Sequence, residues 1–307
     1  MRTISPARYR WITFLALALL VAIIISGALV RLTASGLGCS DWPRCSESKF
    51  IDVSSTHSAI EQINRLFTGA VSLAVIVAVL GALVRAPRRR DLTWLSISLV
   101  AGVLGQAVLG GIVVKTDLNP VAVQGHFVLS IVLITAAMVL HRRAAEPDGG
   151  IVEPAVTATS RRLVRVLGVA MAAVVVLGTV VTGAGPHSGS VDDRPVPRFD
   201  VAITTIARFH SIAVWVTLAI ALGLAWRVSR NPGDRAALER PLTVFLCLGI
   251  AQGAVGYIQY FSDVPAALVA VHIALATALW LALTWTWLST RNVVTPAHLR
   301  PTPARSV

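Results

Sequence analysis

The sequence predicts an all-α membrane protein: eight transmembrane helices arranged as two tandem pseudo-symmetric four-helix bundles, with N and C termini cytoplasmic. Three observations carry this. Hydrophobic residues make up 55% of the chain and charged residues 14%, with a mean hydropathy of +0.73, far more apolar surface than a soluble domain of 307 residues buries. Polar landmarks recur at a constant offset of 146 residues, pairing Gln106 with Gln252, Gly110 with Gly256, Asp117 with Asp263 and His126 with His272, and setting Asn64 on His210. Such register over such a distance marks a duplicated module. Finally, the arginine clusters fall in every second connecting segment, all on one side, which fixes an orientation.

Apolar stretches long enough for the roughly 30 Å hydrocarbon core occur eight times. The first, Trp11 to Val30, follows Arg2, Arg8 and Arg10 but has no small-residue cleavage site, so it reads as a retained helix and not a signal peptide. Leu66 to Val84 is the second span, followed by Arg85, Arg88, Arg89 and Arg90; Leu92 to Val114 and Val121 to Leu140 complete the first half. Residues 1–144 form this N-terminal module, and 145–160, with its Pro- and Gly-bearing EPDGGIVEP, form a cytoplasmic linker flanked by Arg142, Arg143, Arg161 and Arg162. Leu163 to Val181, Ile203 to Trp226, Leu242 to Tyr257 and Ala266 to Leu288 supply the second module, residues 161–290. Arg227, Arg230, Arg235 and Arg240 lie between its second and third spans, and Arg291, Arg300 and Arg305 lie in a cytoplasmic tail, 291–307. All these arginines fall on one side, while the other side keeps a thinner set that includes Arg31, Arg44, Arg65 and Arg194. The positive-inside bias makes the richer side cytoplasmic. The net charge of +12 is thereby mostly topology. No nucleic-acid partner is expected, because the arginines are split among short loops without interleaved aromatics.

Cys39 and Cys45 lie in the first outer loop, in CSDWPRC. On an oxidising side this pair predicts a disulfide; metal binding and redox activity are the competing readings, the first weakened by the absence of a nearby histidine. Cys247, inside an apolar span, reads as a small core residue.

In this topology Asn64, His126, His210 and His272 all fall near the outer ends of even-numbered helices, at one depth. Ionisable or metal-binding side chains there are costly unless they face the bundle interior. Two histidines on different helices at equal depth suit a haem iron held from both sides, and His210 with His272 supply such a pair; the alternative is a hydrogen bond from each to a neighbouring helix. In the first half His126 faces Asn64, a weak iron ligand, so that site is expected to be less fully coordinated. His57, one turn outside Glu61, is the alternative second ligand. Gly27, Gly105, Gly110, Gly111, Gly178 and Gly256 read as close-packing positions. His187 reads as a solvated loop residue, and His141 and His298 as cytoplasmic side chains without a special role.

Several segments together carry a resemblance: GALVRLTASGLGCSDWPRC (Gly27 to Cys45), EQINRLFTG (Glu61 to Gly69), GQAVLGG (Gly105 to Gly111), the Gly125-His126 pair, VTGAGPHSG (Val181 to Gly189) and the histidines of the sixth and eighth spans. In these the chain resembles the haem A synthase family, membrane oxidoreductases that convert the C8 methyl of haem O to a formyl group, giving haem A for terminal oxidases. That family has an acid, then a ligand histidine three positions later, then Arg; here Glu61 and Arg65 match but Asn64 stands at the histidine.

The resemblance implies a catalytic site in the first half, with His126 as iron ligand to the haem O substrate and Glu61 at the reacting face, where a carboxylate accepts a proton or orients water. It implies a resident haem b in the second half on His210 and His272. Arg65 and Arg31 become candidates for haem propionates, with interface snorkelling the competing reading for Arg31 and a helix-dipole role for Glu61. The implied setting is the cell membrane, with haem O synthase, an unidentified electron donor and a second copy of the chain as possible partners. A di-haem cytochrome b-type electron carrier is one rival; it needs two complete histidine pairs. A duplicated-bundle transporter is the other; it commonly has helices interrupted near the midplane.

Overall fold

The computed structural model describes residues 3–191 and 195–295. Arg2, Arg194, His298, Arg300 and Arg305 lie outside the described residues. Among the described residues eight helices follow in order: α1 (Pro6–Leu32), α2 (Thr56–Val84), α3 (Arg90–Lys115), α4 (Pro120–Ala144), α5 (Ala158–Ala184), α6 (Ile203–Ser229), α7 (Pro232–Phe261) and α8 (Ala266–Leu288). Each is long and apolar enough to cross a membrane, and the protein is a multi-pass membrane protein.

Helix α2 starts at Thr56, ten residues before its apolar run, and α7 at Pro232, ten before its own. Hydropathy marks only the part of a helix that lipid touches; caps decide where the hydrogen-bond ladder starts. Ser55 closes a capping box with Ser58 at the head of α2, and Asn231 accepts from the Asp234 amide at the head of α7. Pro241 is accommodated inside α7 and is buried.

In the first half α1 packs on α2 and α4, and α3 on α2 and α4; in the second, α5 packs on α6 and α8, and α7 on α6 and α8. Thus α2 and α4, and likewise α6 and α8, sit diagonally. Each half has its own buried cluster, one around Tyr9, Leu92, Leu99 and Ile134, the other around Val164, Leu167, Leu224 and Leu238. The halves meet where α4 and α8 pack on each other, α1 on α8 and α4 on α5. Trp280 Nε1 donates to Thr135 Oγ1 at 2.7 Å across this seam, and Gln124 Nε2 to Thr179 Oγ1 at 2.7 Å.

The repeated Asp117 and Asp263 have a conformational explanation. Both open left-handed two-residue turns, Asp117 (φ 50) with Leu118 (φ 57) joining α3 to α4, and Asp263 (φ 57) with Val264 (φ 55) joining α7 to α8. Aspartate tolerates this region better than most residues. Leu118 is thereby aimed at the neighbouring loops, where it sits between Gly36 and Gly189; Gly189 has φ +96, and a Cβ there would press on Leu118 and Arg31.

Three expectations differ. The linker contains a strand, β1 (Ile151–Pro154), which pairs antiparallel with β2 (Arg291–Val294), Ile151 opposite Val294 and Pro154 opposite Arg291. The linker and the first tail residues therefore clasp each other, because β-branched residues at both ends satisfy each other's backbone groups where the helices stop. Cys247 is exposed on the outer surface of α7 and is not a core residue; an apolar span in lipid has no obligatory inward face, so hydrophobicity did not reveal its side. His187 is only partly exposed, and its Nε2 lies 2.7 Å from the Val264 carbonyl.

Candidate functional site

The N-terminal end of α2 is tied to the preceding loop through one carboxylate. Cys39 N–H donates to Glu61 Oε2 at 2.8 Å, and Arg65 Nε and Nη2 donate to Glu61 Oε1 at 3.1 and 2.6 Å. The spacing of four residues puts Glu61 and Arg65 on one helix face. Arg65 reaches on to the carbonyls of Arg44 (3.1 Å) and Asp41 (3.0 Å). Its donors are thus engaged with Glu61 and the loop, and Glu61 is 5% exposed. A buried ion pair with additional hydrogen bonds is a well-satisfied arrangement, and breaking one partner is costly.

The loop held this way contains the Cys39–Cys45 disulfide, with an S–S distance of 2.03 Å. It also delivers Trp42, whose ring lies where a Cβ on Gly111 would come within 3.0 Å. Trp42 therefore covers α3 one residue from Gly110. Sequence reading passed over it, since a tryptophan between two cysteines reads as loop.

Three imidazoles share one setting. A Cβ on Gly110 of α3 would lie 3.5 Å from His126 Cε1; one on Gly178 of α5 would lie 3.1 Å from His210 Cε1, and one on Gly256 of α7 would lie 3.1 Å from His272 Cε1. Each ring thus lies against a glycine of the helix preceding its own. His210 Nδ1–H donates to the Val174 carbonyl at 3.1 Å, which leaves the Nε2 lone pair for a metal. The Nδ1 atoms of His126 and His272 are buried without a hydrogen-bond partner, as are the Oε1 atoms of Gln106 and Gln252. Gln106 Nε2 donates to Ser130 Oγ at 2.7 Å and to the His126 carbonyl at 3.1 Å, fixing the turn of α4 that carries the histidine.

Asn64 occupies the fourth position. Its Oδ1 accepts from Ser26 Oγ of α1 at 2.8 Å. His57 is held elsewhere, its Nδ1 3.0 Å from Ser35 Oγ in the loop. Arg31 donates to the carbonyls of His187 (2.9 Å) and Thr182 (3.1 Å), so it bridges α1 to the outer end of α5. His141 packs on Phe14 with its Nδ1 3.2 Å from Thr13 Oγ1, tying α4 to α1. The structure thus gathers Glu61, Arg65, Cys39 and Cys45 into one cluster above α2, and places His126, His210 and His272 each against a neighbouring helix.

Comparison with known proteins covers nearly the whole chain. A heme A synthase of Listeria welshimeri is 25% identical over 284 residues, 87% of this chain and 90% of that protein. Heme A synthases of Bacillus pumilus and Lysinibacillus sphaericus are 31% and 28% identical over 133 and 140 residues, covering 43% and 45% of this chain and 43% and 46% of those proteins. Residues 10–284 match the cytochrome oxidase assembly protein family, COX15-CtaA. With its eight spanning helices and a match that runs from α1 into α8, the chain belongs to the COX15-CtaA family of cytochrome oxidase assembly proteins.

Proposed function

We propose that the protein is a haem A synthase of the cell membrane, an oxidoreductase that converts the C8 methyl of haem O to the formyl group of haem A. The carrying observation is that three imidazoles lie on the diagonal helices of the two bundles, each seated on a glycine, with Asn64 at the fourth place. Among the described residues no group of three or more His, Cys, Asp or Glu side chains is placed to hold a metal ion. Pairs and single histidines suit an iron whose remaining positions are filled by a macrocycle, whereas a bare ion asks for three or four protein ligands.

The residues fit such a group. Buried Nδ1 atoms of His126 and His272 lack a protein partner, the His210 tautomer presents Nε2 outward from its carbonyl bond, and each ring packs on a glycine of the preceding helix. In this reading His210 and His272 hold a resident haem b in the second half, and His126 holds the haem O substrate in the first. The bound iron supplies the redox chemistry. Glu61, hydrogen-bonded by Arg65 and the Cys39 amide, holds the disulfide loop and Trp42 over the first site and supplies a carboxylate there for receiving a proton. The duplicated halves and the arginine-rich cytoplasmic ends belong to the same proposal. Asn64 disfavours the di-haem electron carrier, which needs a second complete pair, and the continuous helices disfavour the transporter.

The test is expression with a haem O source, followed by a reduced-minus-oxidised spectrum and identification of the extracted pigments. Haem A accumulating only when this protein is present is the expected result. Haem bound without any haem A identifies a carrier, and a protein free of haem removes both haem readings.

A further inference from the structure

Helices α1 and α5 are both 27 residues long, and aligning their ends places Ser26 of α1 at the position of Gly178 of α5. Their partners match too: Gly178 lies against His210 on α6, and Ser26 bonds Asn64 on α2, the residue in register with His210. A Cβ at Gly178 would come within 3.1 Å of His210 Cε1 and 3.5 Å of its Nδ1. A Cβ in this imidazole seat would therefore press on the ring, which would have to give by a few tenths of an ångström, and a serine in the equivalent place crowds a ring at 64. The serine hydroxyl then meets the shorter carboxamide at 2.8 Å and also lies 3.2 Å from the Ile23 carbonyl.

We propose that Ser26 and Asn64 act as one unit that keeps an imidazole out of the place Asn64 occupies in the first-half site, Ser26 being the positioning residue that crowds a ring at 64 and anchors the carboxamide instead. This rests on the haem reading above. An iron carried by His126 would then keep one face open to a small exogenous ligand, while the His210–His272 site stays closed on both faces.

The probe is carbon monoxide added to the reduced, purified full-length protein, read together with the low-spin bis-histidine signal. The parent is expected to bind carbon monoxide at a haem that His126→Ala removes. Asn64→His alone is expected to keep that binding, and Ser26→Ala/Asn64→His as well, because alanine retains the Cβ. Ser26→Gly/Asn64→His is expected to lose it and gain a second bis-histidine signal, with the His210–His272 signal reporting that each variant is folded. If the glycine double variant fails to accumulate, the single variant decides: unaltered carbon monoxide binding in Asn64→His supports the proposal. A bis-histidine gain in Asn64→His or in the alanine double variant overturns it while leaving the haem reading intact. A carbon monoxide-binding haem that survives His126→Ala, or none in the parent, overturns the first-half haem reading and this inference with it.

Discussion

Single side chains in this protein act through what lies directly against them. Under the proposed function His210 and His272 together hold the resident haem, so replacing either with Ala is expected to abolish the low-spin bis-histidine signal while the protein still inserts; an unchanged signal in both variants refutes the pairing. Glu61 is the harder residue, because its two oxygens are engaged by Arg65 and the Cys39 amide. Glu61→Gln preserves shape and removes charge. It is expected to leave the second-half haem in place and to slow haem A formation at least about tenfold, roughly 1.4 kcal/mol in the barrier. Product haem per protein is the measurement, and a parent-like rate assigns the carboxylate to the loop alone.

At the level of elements, the outer loop and the helix heads are held by a few polar contacts. Replacing Cys39 and Cys45 with Ser removes the covalent closure of a loop that Glu61 and Arg65 hold by hydrogen bonds at Cys39, Asp41 and Arg44. A loss of about 2–3 kcal/mol is expected for a short closed loop, read as a lower thermal midpoint, with the His210–His272 haem retained. Asp234 does comparable work on the other side. Its carboxylate accepts from Thr157 N (2.7 Å), Thr157 Oγ1 (2.8 Å) and Ser160 Oγ (2.6 Å), joining the heads of α5 and α7. Arg227 Nε donates to the same Ser160 hydroxyl at 3.0 Å. Asp234→Ala leaves these donors unpaired, and a loss of about 3 kcal/mol is expected in detergent unfolding, with the outer disulfide loop unaffected.

Across the whole molecule, the two halves are joined at three levels. Arg31, His187 and Val264 link them on the outer side, Trp280 and Thr135 within the span, and the β1–β2 clasp at the other end, where Arg291 Nη2 meets Glu146 Oε1 at 2.7 Å and Arg85 meets Asp148 at 2.8 Å. Hydrogen bonds between helices in a membrane are individually modest, about 0.6 kcal/mol on average. Trp280→Phe is accordingly expected to cost about that amount in unfolding without separating the halves. A larger loss shows that the seam is held mainly by this contact.

The helix count was legible in the sequence because it is one-dimensional: hydrophobic length survives without coordinates. Asp117 and Asp263 were legible as a pair, though their reason, a shared left-handed turn, was not. Ser26 escaped the repeat because α1 and α5 are displaced by a different interval from the later helices, so a constant offset misses it. The clasp of Ile151–Pro154 on Arg291–Val294 was hidden because strand pairing joins segments that no local pattern connects. Cys247 was misplaced because lipid is as apolar as a core, and hydropathy cannot tell which face of a spanning helix looks inward. Partners across space, Glu61 with the Cys39 amide, Ser26 with Asn64 and glycine with each imidazole, depend on which helices are neighbours, and packing alone sets that.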